Sequence, residues 1–210
     1  MIQLSSWLLA SLLLVPAVVY LAVRAYRRRS ARIAAVRRQE QQMSELYMAT
    51  IEALALAIDA KEQTARNHIG RVQVYATALA RALGMSDDEV QAVKIAALLH
   101  DVGKLAVPEH ILAKPGPLTA EEFQKIRLHP QIGADIIAGI PFPSPVAPLI
   151  LSHHERWDGR GYPSGLRGED IPLGARILCL VDYFDALTSS RPYHKPMSIE
   201  ATVAMIEQEA

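Results

Sequence analysis

The sequence predicts an all-α protein in which a single helical bundle domain follows an N-terminal transmembrane helix. Apolar residues recur at helical spacing along much of the 210-residue chain. No stretch alternates apolar and polar residues as a half-buried strand does. Two capping boxes, Ser86 with Glu89 and Thr119 with Glu122, are typical of helix starts. These patterns favour helices and no sheet.

The first element is an uncharged apolar segment, residues 1–23. About 20 apolar residues in a helix span the hydrocarbon core of a bilayer. A cleaved signal peptide carries its positive charge before the apolar stretch, whereas here seven arginines follow it, between residues 24 and 38. Basic residues hold their side of a span in the cytoplasm. We therefore expect an uncleaved single-pass anchor in the inner, cytoplasmic membrane, with the domain in the cytoplasm.

The distribution of charged residues along the chain indicates which kinds of partner the domain can bind. Beyond residue 38 the chain has 15 of its 22 Lys and Arg residues and all 22 Asp and Glu residues, a net charge of −7. Proteins hold nucleic-acid polymers chiefly through basic contacts to phosphate, so an acidic domain argues against such a partner. Cys179 is the only cysteine, which excludes a disulfide within the chain, and its apolar neighbours predict a buried thiol.

The next elements are a basic juxtamembrane segment and helical stalk over residues 24–47, and the domain over residues 48–210. The stalk carries an apolar stripe at helical spacing. This stripe either packs on the domain or joins two stalks in a homodimer. Within the domain, proline-rich segments at 114–117 and 141–145 interrupt the helical pattern. Apolar periodicity predicts helices over residues 72–83, 86–100, 147–154 and 173–187. Two more helices are expected to begin after Thr119 and near Ser198.

Two histidine-containing pairs each end an apolar helical stretch. They are His100-Asp101 and His153-His154. Burying imidazole and carboxylate groups costs free energy unless a partner satisfies them. A metal ion does so, because these groups suit iron, manganese and zinc. Taken singly, each histidine of the chain is more often an ordinary surface or core residue.

Three further residues fit a metal site that handles phosphate. Lys104 lies about one helical turn beyond His100 if that helix continues, where its ammonium group could neutralise a phosphate oxygen. Asp182 lies in an apolar helical stretch, which is costly for a carboxylate without a partner. Asp185 follows one turn later and could orient a ligand histidine or Lys104 by accepting a hydrogen bond.

Seven short motifs then follow one another in a recognisable order. They are His68 with Arg71, His100-Asp101-Val102-Gly103-Lys104, His129-Pro130, His153-His154-Glu155, Asp158 to Pro163, Asp182 to Leu187, and Arg191-Pro192-Tyr193. With these motifs the chain closely resembles the HD-GYP family, a branch of the HD superfamily of metal-dependent phosphohydrolases, from about Met48 onward. The resemblance implies an HD-type helical bundle.

The resemblance also implies a metal-dependent phosphodiesterase that hydrolyses the bacterial messenger cyclic di-GMP to pGpG, to GMP or to both. Asp101, as a bridging ligand, and Lys104, as a contact to the scissile phosphate, would be the catalytic residues. Tyr162 would lie near a guanine base, and Arg191 would contact a phosphate. Iron or manganese would be held by His68, His100, Asp101, His129, His153, His154 and Asp182.

The chain departs from the family pattern at three places. Thr64 stands where some members carry a glutamate that helps to hold a third metal, so we expect two divalent ions. His194, rather than lysine or arginine, follows the Arg-Pro-Tyr motif, and His194 and His110 are left outside the ligand set. The domain is also shorter at its C-terminus than the family pattern.

Two alternatives to cyclic di-GMP hydrolysis stay open. One is hydrolysis of another cyclic dinucleotide. The other is a non-catalytic module that binds the messenger or docks a partner such as a diguanylate cyclase. The complete ligand set favours the enzyme. In the glycine-rich loop we expect Tyr162 to stack on a base and Trp157 to pack in the core.

Overall fold

The computed structural model describes the backbone of residues 3–62, 67–190 and 195–209, and the side chains of these ranges except 3–13, 59–62 and 209. All regular structure in these ranges is helical, which confirms the predicted fold class for this part of the chain. Short 3-10 turns span Val102–Ala106 and Gly168–Asp170. The α-helices are α1 (Gln3–Glu62), α2 (His68–Ala82), α3 (Asp87–Leu99), α4 (Glu109–Leu112), α5 (Ala120–Ile126), α6 (His129–Ile137), α7 (Ala147–Leu151), α8 (Leu173–Thr188) and α9 (Ile199–Glu209).

The chain divides into two compact units, Met1–Ala49 and Thr50–Ala210. The described residues of the first unit belong to α1, and their described side chains are almost all exposed. Among the described residues, no helix is both long enough and apolar enough to cross a membrane. The transmembrane helix predicted for residues 1–23 is thus not found there, and the side chains of residues 1–13 lie outside the described part.

The second unit is a helical bundle around an aliphatic core. Helix α2 packs against α3 and α8, while α6 packs against α7 and the 3-10 turn at 102–106. Helix α8 also contacts α3, α7 and α9. Burial of one aliphatic side chain contributes about 1.5–3 kcal/mol, and the fully buried members include Val72, Val93, Ile150 and Leu178. The helix ends that carry the histidine motifs meet within this core.

The helix ends follow the capping signals of the sequence. Ser86 Oγ accepts from the Glu89 N–H, and the Glu89 carboxylate accepts from the Ser86 N–H at 2.9 Å. Thr119 and Glu122 form the same reciprocal pair at the start of α5. Gly84 has φ = +75° directly after α2, where a left-handed residue ends a helix. These predicted helix boundaries are confirmed.

Three local predictions were wrong. The helix predicted over residues 147–154 ends at Leu151, so His153 and His154 lie in the turn that follows α7. Trp157 is 50% exposed instead of packing in the core. Cys179 is half-buried instead of fully buried, since it lines the wall of a cavity.

Candidate metal centre

The sequence-predicted ligands converge in the second unit. His129, His153 and His154 each offer a ligand atom within 4.8 Å of the others, and so do His68, His100 and Asp101. These side chains come from five different parts of the fold. They are the starts of α2 and α6, the segments just after α3 and α7, and α8, which carries Asp182.

Local hydrogen bonds orient three of the histidine rings. A carbonyl oxygen can only accept, so the Nδ1 atom that faces it must carry the proton. A proton on Nδ1 leaves the lone pair of Nε2 free to bind a metal. In each case the carbonyl belongs to the third residue before the histidine: Ala97 for His100 at 2.9 Å, Ile126 for His129 at 2.7 Å, and Ile150 for His153 at 2.6 Å.

A carboxylate orients the fourth ring. His68 Nδ1 donates to Asp185 Oδ2 at 2.7 Å, and Arg71 Nε donates to Asp185 Oδ1 at 2.5 Å. Burial alone would raise the pKa of Asp185, but the hydrogen bonds from His68 and Arg71 outweigh burial and hold that pKa well below its usual range. An ionised Asp185 therefore fixes the His68 ring with its Nε2 towards Asp182, whose Oδ1 is 3.5 Å away.

Asp101 lies between the two histidine groups. Its Oδ1 is 3.4 Å from His129 Nε2, and its Oδ2 is 3.2 Å from His100 Nε2. His129 Nε2 and His153 Nε2 face each other at 3.3 Å. Buried His100 Nε2 has no hydrogen-bond partner in the described part of the chain. A cation shared by these nitrogens and oxygens would satisfy all of them, so the donor set fits divalent metal ions.

Burial and neighbouring carboxylates set the charge of the rings in the metal-free chain. Burial lowers the pKa of His129 and of His154 to about 4, so both are neutral at physiological pH. For His100, burial acts in the same direction, but the carboxylates of Asp101 and Asp182 outweigh it and raise that pKa to about 9. Neutral imidazoles are the form that binds a metal, so metal binding would release a proton from His100.

A close helix contact positions Lys104. Gly103 lies so near α6 that a Cβ atom on it would come within 2.0 Å of the His129 carbonyl oxygen and 2.6 Å of the Gly133 nitrogen. The 3-10 turn can therefore approach α6 only with glycine at this position. Lys104 follows, and its Nζ lies 2.8 Å from Asp101 Oδ2. An ammonium group is thus held at the edge of the ligand cluster.

The loop after the second histidine pair folds back onto it. Tyr162 N–H donates to the His154 carbonyl at 3.2 Å, and the two rings stack with centroids 4.9 Å apart. Buried Glu155 accepts from the Ser164 N–H at 2.7 Å. Burial raises the pKa of Tyr162 to about 12, so its hydroxyl stays protonated. Tyr162 therefore contacts a predicted ligand, and its stacking on a base stays a prediction.

A cavity of about 590 Å³ opens beside the cluster. His154, Asp182 and Tyr162 form one part of its wall, and the remainder is rich in aromatic and arginine side chains. Sequence reasoning assigned no role to Arg127, which lies over the Tyr162 ring at 4.8 Å from its centroid. Only its position two residues before His129 could have drawn attention to it.

Some residues singled out in the sequence lie outside the described part of the chain or apart from both ligand groups. Arg191 and His194 lie outside the described residues, as does Thr64. His110 is exposed and belongs to neither ligand group among the described residues.

The chain is similar in sequence to several known phosphodiesterases. The cyclic di-GMP phosphodiesterase response regulator RpfG of Xanthomonas campestris is 41% identical over 167 residues, 79% of this chain and 44% of that protein. A cyclic di-GMP phosphodiesterase of Thermotoga maritima is 39% identical over 159 residues, 75% and 43% of the two chains. The 3'3'-cGAMP-specific phosphodiesterase 2 of Vibrio cholerae is 39% identical over 149 residues, which are 70% of this chain and 28% of that protein. The chain spans less than half the length of these relatives.

The fold is also shared with a solved structure. The cyclic GMP-AMP specific phosphodiesterase V-cGAP3 of V. cholerae superposes with a TM-score of 0.60 at 22% identity, over 77% of this chain and 44% of that one. The family profile described as "HD domain" matches residues 39–210. With this match and the ordered motifs, the chain belongs to the HD domain family, in its HD-GYP branch.

Proposed function

We propose that the chain is a metal-dependent phosphodiesterase that hydrolyses cyclic di-GMP to pGpG, to GMP or to both. The observation that carries this proposal is the convergence of five histidines with Asp101 and Asp182 beside Lys104, at the wall of a cavity. The names of the relatives from X. campestris and T. maritima support the substrate.

Two divalent ions, iron or manganese, form part of the proposal. His68, His100 and Asp101 would hold one ion, and the group of His129, His153 and His154 would hold the other, with Asp182 completing the ligand set. Bound in a pair, such ions supply a hydroxide nucleophile at neutral pH and neutralise charge on the phosphate. We propose two ions and not three because Thr64 stands where some members of the family carry a glutamate that helps to hold a third metal.

The chain's own residues act on the phosphate and its surroundings. Lys104 holds its ammonium group 2.8 Å from Asp101, where it binds an oxygen of the scissile phosphate. Tyr162 keeps its hydroxyl proton and can donate it in a hydrogen bond to the substrate. A phosphate contact by Arg191 stays a prediction.

Turnover by the full chain tests the proposal. The protein would be purified without oxygen in a mild detergent, loaded with iron or manganese, and given cyclic di-GMP. We expect pGpG or GMP in the chromatogram, loss of product on chelation, and no turnover by a folded Asp101→Ala variant. A folded, metal-loaded wild type that yields no product would contradict the proposal that the chain is an enzyme. Binding of cyclic di-GMP without turnover would indicate a non-catalytic module.

A second candidate substrate has specific support. The relative from V. cholerae that is 39% identical over 149 residues is named for 3'3'-cGAMP. Parallel kcat/KM measurements on cyclic di-GMP, 3'3'-cGAMP and cyclic di-AMP decide between these substrates. We expect cyclic di-GMP to give the highest value, and a higher value for 3'3'-cGAMP would replace the proposed substrate.

Localisation and assembly are proposals that rest on the sequence. The uncharged residues 1–23 and the arginines after them support a single-pass anchor in the inner membrane with the catalytic domain in the cytoplasm. Membrane fractionation of the full chain against a variant without residues 1–23 tests this, and equal partitioning of the two would contradict it. A homodimer through the stalk and a diguanylate cyclase partner stay predictions.

A further inference from the structure

The cavity beside the metal centre contains four arginines with different surroundings. Arg156 and Arg160 both lie near one carboxylate, at 3.5 Å and 2.9 Å from Asp158. Arg176 and Arg127 instead lie over aromatic rings. Of these two, Arg127 is the one whose ring partner also contacts a predicted metal ligand.

The end of α5 places Arg127 at the cavity. Its backbone N–H donates to the Phe123 carbonyl at 2.9 Å, which closes the last turn of the helix. Its guanidinium carbon lies 4.8 Å from the centroid of the Tyr162 ring, and the His154 ring stacks on Tyr162 at 4.9 Å. Tyr162 therefore contacts both Arg127 and His154. These distances put the guanidinium carbon within about 10 Å of the His154 ring centroid.

The Arg127 side chain lacks an anionic partner within the described part of the chain. It is half-buried, and no carboxylate or carbonyl there accepts from its guanidinium group. The chain beyond residue 38 has 22 acidic against 15 basic residues, so carboxylates are abundant. A half-buried cation in an acidic domain is more stable with a counter-ion. A cation left without one in a cavity wall points to an anionic ligand.

We infer that Arg127 binds the phosphate of a cyclic dinucleotide that is not being cleaved, an inference that rests on the proposed function. A cyclic dinucleotide carries two phosphates in one small ring. When one lies at the metal ligands and Lys104, the other must lie elsewhere along the same cavity. The planar guanidinium group pairs with two phosphate oxygens at once, and contact with a ring face leaves its N–H donors available for them.

The test combines binding and turnover in the full, metal-loaded chain. Calorimetry with a hydrolysis-resistant phosphorothioate analogue of cyclic di-GMP gives the Kd without turnover. Hydrolysis of bis(p-nitrophenyl) phosphate, a substrate with a single phosphate, separately measures the activity of the metal centre. For Arg127→Ala we expect a Kd for cyclic di-GMP about 10–100-fold higher and unchanged hydrolysis of the small diester. Arg127→Lys should recover more affinity than Arg127→Gln, because lysine keeps the charge. Lys125→Ala, which removes an exposed charge from the same helix, is the matched control.

Four results would overturn the inference. An unchanged Kd in Arg127→Ala shows that Arg127 does not contact the dinucleotide. An equal loss with both substrates shows a structural effect, and better recovery by glutamine than by lysine shows contact with a base. Cyclic di-GMP binding without turnover defeats the proposed enzyme but leaves the Arg127 comparison decisive, whereas a wild type that binds no cyclic dinucleotide defeats both proposals.

Discussion

His68 and Asp185 are joined by a 2.7 Å hydrogen bond although 117 residues separate them in the sequence. This bond links the start of α2 to α8, and Arg71 one turn along α2 donates to the same carboxylate. Asp185 is 1% exposed and accepts from the His68 ring that it orients. The orientation of His68, a predicted metal ligand, thus depends on how α2 and α8 pack together.

Asp185→Asn should weaken metal binding while leaving the fold largely intact. An amide cannot offer the charge that holds the Nδ1 proton of His68, and the loss of such a partner lowers metal affinity by about 10–100-fold. Competition titration with a chelator measures the change. Asp135→Asn, on an exposed face of α6, is the control and should not alter affinity. Wild-type affinity in Asp185→Asn would contradict the orienting role.

Gly103→Ala should reduce both stability and activity. The new Cβ would meet the His129 carbonyl oxygen at 2.0 Å, so the 3-10 turn must move away from α6 and carry Lys104 with it. Such overpacking costs about 1–3 kcal/mol. Urea unfolding gives the stability change. Gly139→Ala is the control, since nothing lies within 4 Å of its Cβ. Equal stability of the two variants would show that the close approach is not required.

Lys104→Ala should lower kcat far more than metal content. Removal of one positioned cation near developing charge costs about 10²–10³-fold in kcat, whereas the histidine ligands remain in place. Steady-state kinetics and elemental analysis on the same sample separate the two effects. Lys114→Ala, which removes a surface ion pair with Glu122, should leave both values unchanged. A Lys104→Ala variant with normal kcat would exclude the phosphate contact.

Acid should destabilise the metal-free chain below about pH 6.5. Burial lowers the pKa of His129 and of His154 from 6.5 to about 4, so between these values the unfolded chain binds protons that the folded chain does not. Stability therefore falls as pH drops from 6.5 towards 4, by about 1.4 kcal/mol per pH unit for each histidine. Urea unfolding at pH 7 and pH 5 measures the slope.

The variant His129→Asn tests whether His129 contributes to this dependence of stability on pH. The variant should show a shallower fall in stability with acid than the wild type, because one buried titrating group is gone. His110→Asn, at an exposed position, should keep the wild-type slope. A slope that does not depend on His129 would place the titrating groups elsewhere.

The residues of this site differ in how far the sequence alone could assign them. His100-Asp101 and His153-His154 were predictable because they follow apolar helical stretches, where an unpartnered polar pair is costly. His68 and His129 needed the family resemblance, since no local pattern sets them apart. The contacts of Arg71 with Asp185 and of Arg127 with Tyr162 join distant segments, so no local signal reports them.

The fold of the glycine-rich loop could also be predicted only in part from the sequence. Its composition predicted a loop near the site, but Trp157 was expected in the core and is 50% exposed. The fold of the loop depends on Glu155, which accepts from the Ser164 N–H, and on Gly161, whose Cβ would lie 2.3 Å from the Arg156 nitrogen. Such contacts depend on the three-dimensional path of the chain, which short-range periodicity does not encode.

The metal content of the full chain tests the metal centre most directly. After anaerobic loading with manganese or iron and removal of unbound ions, elemental analysis should give about two ions per chain. Asp101→Ala, which removes the carboxylate between the two histidine groups, should retain clearly fewer ions at unchanged helicity. A folded wild type that retains no more metal than Asp101→Ala would contradict a centre built on these ligands.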